Sequence, residues 1–131
     1  MRAFREAVEA GDMDAVEALL AEDVVFTSPV VFKPYPGKAI TAAILRAVSQ
    51  VFEDFRYERE LAGTDGRDHA LVFAARVGDR ELSGCDFIHL DEEGLIDELT
   101  VMVRPLSAAQ ALAAAMGAQF DRIEKEAQAR S

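Results

Sequence analysis

The apolar residues of this chain keep two different periods, and the change between them divides it into a helical part and a sheet part. Phe4, Ala7 and Val8 fall at helical spacing and stop at Gly11, after which Asp12 is placed to cap a second helix whose apolar face is Met13, Val16, Leu19 and Leu20. Val24-Val25-Phe26-Thr27 is β-branched and aromatic and closes on Ser28-Pro29, so a short strand is expected. Residues 29–37 hold three prolines and a glycine and predict a loop. Ile40, Ile44, Val48, Phe52 and Phe55 recur every three or four residues, which predicts a helix over 38–55. From there the period becomes two. Strands are expected at 57–62, 69–77, 80–90 and 95–104, joined by Gly63-Thr64-Asp65-Gly66, Gly78-Asp79 and Asp91-Glu92-Glu93-Gly94. A closing amphipathic helix starts at Ser107 after Pro105, runs through Leu112 and Met116, and continues as a helical tail over 118–131.

Helix, helix, strand, helix, then an antiparallel meander and a closing helix is an α+β order, not a βαβ one. Neither GxGxxG nor GxxxxGK[ST] occurs, so the usual phosphate-cradling loops are missing. With 131 residues the chain is expected to form one domain over 1–131 with one core. Fourteen basic against 24 acidic residues give a net charge of −10, which repels phosphate backbones and anionic lipid, so neither nucleic acid nor membrane is an expected partner. The lone Cys85 rules out an internal disulfide, and the first residues lack a signal-peptide apolar stretch; a cytoplasmic protein is expected. The two histidines, His69 and His89, have no HxxxH or HxH spacing, so neither a metal nor a cofactor is expected.

The tight Gly78-Asp79 turn sets a register in which Leu71 faces Asp86, Phe73 faces Gly84 and Ala75 faces Leu82. Carried over the next turn, the same logic pairs Asp86 with Leu99, Gly84 with Val101 and Leu82 with Val103, and sets His69, Ile88 and Asp97 in one row. One sheet face is then apolar from Leu71 and Phe73 to Leu99 and Val101, with Asp86 in its middle. An ionised carboxylate there is costly, so Asp86 is expected to be paired, hydrogen-bonded or protonated. It then serves either a ligand or only the sheet. On the opposite face Val72, Ala74, Cys85, Phe87, Thr100 and Met102 are too apolar for a free surface, and a two-fold homodimer, ahead of a helix of the same chain, is expected to cover them. Arg76 there stands opposite Glu81, a cross-strand ion pair. Tyr35, in the proline-rich loop, can either reach over the pocket mouth or simply anchor packing.

With this order of elements, and with Gly11-Asp12, Phe26-Thr27-Ser28-Pro29, Pro36-Gly37-Lys38 and Asp86-Phe87-Ile88-His89-Leu90-Asp91-Glu92-Glu93-Gly94 as landmarks, the chain resembles the SnoaL-like branch of the nuclear transport factor 2-like superfamily over residues 1–118. The resemblance implies a cone-shaped, cystatin-like roll: a curved antiparallel sheet wrapped by the N-terminal helices and closed by a C-terminal helix. It also implies dimers through the sheet and an internal pocket. Set against ketosteroid isomerases, the base position after the first strand is Ser28, the tyrosine position on the first helix is Phe4, and the protonated-aspartate position is kept as Asp86. Against limonene epoxide hydrolase-like proteins, the needed carboxylates are replaced by an apolar strand face and by Val101. Against SnoaL-type cyclases, Asp86 can be the acid, while His89 is expected on the other face and His69 near the sheet end. The leading expectation is a homodimer that binds a small apolar or polycyclic molecule among Phe26, Ser28, Tyr35, Phe73, Leu99 and Val101, with Asp86 as polar contact and candidate catalytic residue. Two alternatives stand beside it: a SnoaL-like isomerase, cyclase or dehydratase using Asp86 as acid or base, and a non-catalytic dimeric interaction module.

Overall fold

The computed structural model describes residues 1–130. The elements are α1 (Arg2–Glu9), α2 (Met13–Ala18), β1 (Leu20–Thr27), β2 (Tyr35–Pro36), α3 (Lys38–Val51), β3 (Glu53–Ala62), β4 (Asp68–Val77), β5 (Arg80–Leu90), β6 (Ile96–Arg104), α4 (Leu106–Gly117) and α5 (Phe120–Arg130). The six strands form one curved, unclosed sheet in the order β2-β1-β6-β5-β4-β3. Asp12 caps α2 as its sequence position predicts, its carboxylate accepting the Ala15 amide at 3.1 Å. Gly37 precedes α3 at φ 111°, a conformation that suits glycine, and its carbonyl accepts the Thr41 hydroxyl at 2.8 Å.

Four expectations about the elements are corrected. The sheet is mixed rather than antiparallel throughout, because β1 lies parallel to β6. The proline-rich loop contains the short strand β2, which pairs Tyr35 with Phe26 and Pro36 with Val25. The second helix ends at Ala18, and Leu20 already belongs to β1. Helix α3 stops at Val51: the Phe52 amide still bonds the Val48 carbonyl, but its backbone turns extended at ψ 134°. Phe52 and Phe55 thus keep helical spacing in sequence while leaving the helix, because both serve the aromatic core from the strand side.

The β4–β5 hairpin has the expected register from Val77 opposite Arg80 to Leu71 opposite Asp86. The β5–β6 register differs by two residues: Asp86 faces Val101, Gly84 faces Val103, and Ile88 faces Leu99. The cause is local. Asp91 accepts the amides of Glu93 and Leu95, both at 2.9 Å, and Leu90 pairs with Ile96 rather than with Leu95, a shift of one; the bulge between His89 and Leu90 leaves Asp97 as an extra residue on β6 and adds the second. A slip of two preserves the face of every side chain beyond it. Arg76 stands opposite Glu81 in register, yet its ion pairs run to Glu53 at 3.0 Å and Asp54 at 3.1 Å, across the other strand boundary.

The inner sheet face packs against the helices through Leu71, Phe73, Ile96 and Leu99, all at or near complete burial. The C-terminal helix α5 docks on α3 by burying Ile123 and Ala127. Glu17 ties it in, accepting a hydrogen bond from Arg130 at 2.9 Å and forming an ion pair with Arg46 of α3 at 2.6 Å. Among the described residues no helix is long and apolar enough to cross a membrane.

Candidate functional site

Between the inner sheet face and the helices lies a cavity of about 480 Å³. All seven residues expected at the site line it: Phe26, Ser28, Tyr35, Phe73, Asp86, Leu99 and Val101. Its far walls come from Phe4 of α1, Val48 of α3 and Leu112 and Met116 of α4. The walls are mostly apolar because every contributing element turns its apolar stripe inward, so a polar group exposed to this space is conspicuous.

Asp86 is that group. Strand alternation points it inward between Gly84 and Ile88, and it is 7% exposed. The Tyr57 hydroxyl donates to its Oδ2 at 2.8 Å, and the other carboxyl oxygen has no protein partner among the described residues. Burial pushes the Asp86 carboxyl up to about 7, with the Tyr57 hydrogen bond holding it below where burial alone would set it. Burial and the neighbouring Asp86 charge raise the Tyr57 phenol, which therefore stays a donor. The pair thus presents one carboxyl oxygen to the cavity, able to donate when protonated and to accept a proton when ionised.

An aromatic wall holds the pair in place. Phe73 stacks on Phe55 with centroids 4.9 Å apart, and Phe55 meets Tyr57 edge-on at 4.9 Å. Phe52 adds a further ring 5.7 Å from Phe73. This wall depends on Gly84, opposite Phe73 in the hairpin: a Cβ there would stand 2.2 Å from Phe73 Cζ. The Phe73 ring lies directly over the bare backbone.

The other expected residues play quieter parts. The Ser28 hydroxyl oxygen accepts the amides of Val30 at 3.0 Å and Val31 at 3.3 Å, shaping the loop at the cavity mouth. Tyr35 sits between Phe26, at 6.5 Å, and Phe120, at 6.1 Å, and acts as a packing anchor. Phe4 of α1 is buried in the cavity wall, and the phenol that reaches Asp86 is that of Tyr57 on β3.

Tyr57 is the site residue that the sequence pattern does not reveal. It is the one fully buried residue of a mostly exposed strand, and bulges on both sides of it break the alternation that would assign its face. The signal available was pairing: Tyr57 stands opposite Phe73, which stands opposite Gly84 on the inner face. His69 is not in a row with Asp97, because Leu99 occupies that position. Asp97 instead bonds His89 Nδ1 at 2.6 Å on the outer face, a contact that raises the His89 pKa.

Residues 1–99 match the SnoaL-like domain, and the chain belongs to that family. Among solved structures it is similar to a steroid delta-isomerase from Pseudomonas aeruginosa, with 44% identity, 91% of this chain and 87% of that one covered, and a TM-score of 0.87. It is also similar to an uncharacterised, conserved bacterial protein with a cystatin-like fold from Silicibacter pomeroyi, with 39% identity, coverage of 97% and 91%, and a TM-score of 0.89. An NTF2-like protein of unknown function from Cytophaga hutchinsonii shares the fold at 19% identity, with coverage of 79% and 86% and a TM-score of 0.61. No curated protein matches the chain.

Proposed function

We propose that the protein binds a small, apolar, ring-bearing molecule in the central cavity, with one ligand oxygen seated against Asp86. The observation that carries this is a single buried carboxyl, hydrogen-bonded by Tyr57 on one oxygen and free on the other, facing about 480 Å³ of apolar-walled space. A protonated Asp86 donates to a ligand carbonyl; an ionised one accepts from a hydroxyl. A pure interaction module would fill this space with its own side chains.

A second reading is favoured by Asp86 itself. A carboxyl raised to about 7 can both take and return a proton near neutrality. In an isomerase of this kind ionised Asp86 removes a proton from the carbon beside a carbonyl, the electron pair moves onto the carbonyl oxygen as an enolate, and Asp86 returns the proton to a different carbon. The name of the Pseudomonas aeruginosa relative supports this direction. Ser28 cannot be the base, since its hydroxyl has no carboxylate or imidazole partner among the described residues. Cyclase or dehydratase chemistry would use the same acid.

A thermal-shift screen of steroid ketones and polycyclic aromatic ketones separates these readings, run on wild type and Asp86→Asn, with hits assayed for double-bond migration. Stabilisation of the wild type that weakens in Asp86→Asn is expected, and turnover lost in the same variant makes the protein an isomerase. No stabilisation of the wild type by any ligand would defeat the binding proposal.

We propose further that two copies associate through the outer sheet face, where Phe87 and Met102 are 43% and 58% exposed. The free thiol of Cys85 on that face supports a reducing, cytoplasmic setting.

A further inference from the structure

We infer that His89, Asp97 and Glu98 form a binding site for one divalent transition-metal ion of the zinc type, on the sheet face opposite the cavity. Consecutive strand residues normally point to opposite faces, so Asp97 and Glu98 should not share one. The β5–β6 bulge makes them do so. His89 pairs with Glu98 and Leu90 with Ile96, which leaves Asp97 as the extra residue. Ile96 and Leu99, on either side, are fully buried, while the Asp97 side chain is 29% exposed and that of Glu98 68%. Both carboxylates therefore converge on the imidazole opposite them.

The donor atoms are close enough to share an ion. His89 Nδ1 lies 2.6 Å from Asp97 Oδ1 and 3.9 Å from Glu98 Oε2, and one donor atom from each residue falls within 4.8 Å of the others. Ligands held at about 2.0–2.2 Å around a tetrahedral ion stand roughly 3.4 Å apart. To take an ion, Glu98, the most exposed of the three, swings inward, and His89 and Asp97 give up their 2.6 Å hydrogen bond and its proton and part by somewhat less than an ångström, about the ligand spacing of a tetrahedral site.

Two further observations set this cluster apart from an ordinary acidic surface. It has a nitrogen ligand, and no lysine or arginine offsets its carboxylates, which have only the imidazole of His89 beside them. Asp68 stands opposite His89 in the neighbouring strand, yet neither Asp68, Asp97 nor Glu98 pairs with any lysine or arginine among the described residues. Glu17, Glu53 and Asp54, by contrast, each hold an arginine. Moreover, Asp68, His89 and Glu98 line a separate cleft of about 370 Å³ beside β3 and β4, with Asp97 at its margin bonded to His89; Phe87 of the proposed dimer face borders the same cleft, so the site stands at the edge of that contact. One imidazole with two or three carboxylates suits zinc or manganese better than magnesium, which prefers oxygen alone. The histidine spacing along the chain gives no hint of such a site, because its ligands meet across strands and through a bulge.

The test is isothermal titration of chelator-treated full-length protein with zinc chloride and, separately, with magnesium chloride. Zinc is expected to bind with at most one ion per chain, at least tenfold more tightly than magnesium. His89→Gln and Asp97→Asn should each weaken zinc at least tenfold, and His69→Ala should leave it unchanged. Circular dichroism on each variant guards against loss of fold. No zinc binding by the wild type, or zinc binding that persists in folded His89→Gln, overturns the inference. Neither result bears on the cavity, so this test and the ligand screen stand or fall separately.

Discussion

Asp86 decides how the cavity behaves, and its environment fixes the sign of a pH effect. The carboxyl has an ordinary value of 3.8 in the unfolded chain and about 7 in the folded one, raised first by burial. Between those values the folded protein keeps a proton that the unfolded chain has lost. Stability from this group is therefore complete below about pH 4, falls as pH rises, and is gone above about pH 7. Asp86→Asn removes the titration while keeping an acceptor for Tyr57. Denaturant unfolding at about pH 5 and about pH 8 should show the wild type losing roughly 2–3 kcal/mol more than Asp86→Asn over that span. Equal losses in the two proteins would show that Asp86 titrates normally. At this scale the sequence made Asp86 legible, since a lone carboxylate among alternating apolar residues is an anomaly that strand parity exposes. Tyr57 was not legible, because its partner lies 29 residues away and its own strand is polar and bulged.

At the scale of elements, the regular pieces were readable and the irregular ones were not. The two-residue Gly78-Asp79 turn fixes the β4–β5 register, with Gly78 at φ 60° as such a tight turn demands, and the expected pairs are those observed. The next connection misled because an aspartate side chain, not the loop length alone, sets its geometry: Asp91 gathers two amides and the pairing slips by two. The slip changes which residue faces Asp86, from Leu99 to Val101, but leaves both lining the cavity. Helix α3 was overextended for a different reason. Phe52 and Phe55 are demanded by the aromatic cluster with Phe73, and helical spacing in sequence cannot say whether an apolar residue is reached from a helix or from the strand that follows. The parallel β1–β6 pairing joins segments some 70 residues apart, beyond the range of any local signal.

At the scale of the molecule, a curved sheet covered by helices on one side leaves the other face open, and that face exposes Phe87 and Met102 among polar residues. We propose that a second copy covers it. Met102→Glu places a charge at the most exposed apolar position of that face. Sedimentation equilibrium should report a dimer for the wild type and a monomer for the variant, and a wild-type monomer would contradict the proposal. The helices on the covered side enclose a cavity rather than a solid core, and the functional account rests on what Asp86 does inside it. The ¹³C shift of the Asp86 carboxyl, followed from about pH 4 to about pH 9, measures this directly. A midpoint near 7 is expected, moving higher in Tyr57→Phe as the hydrogen bond that favours the ionised form is lost. A midpoint near 4, unmoved by Tyr57→Phe, would contradict the account.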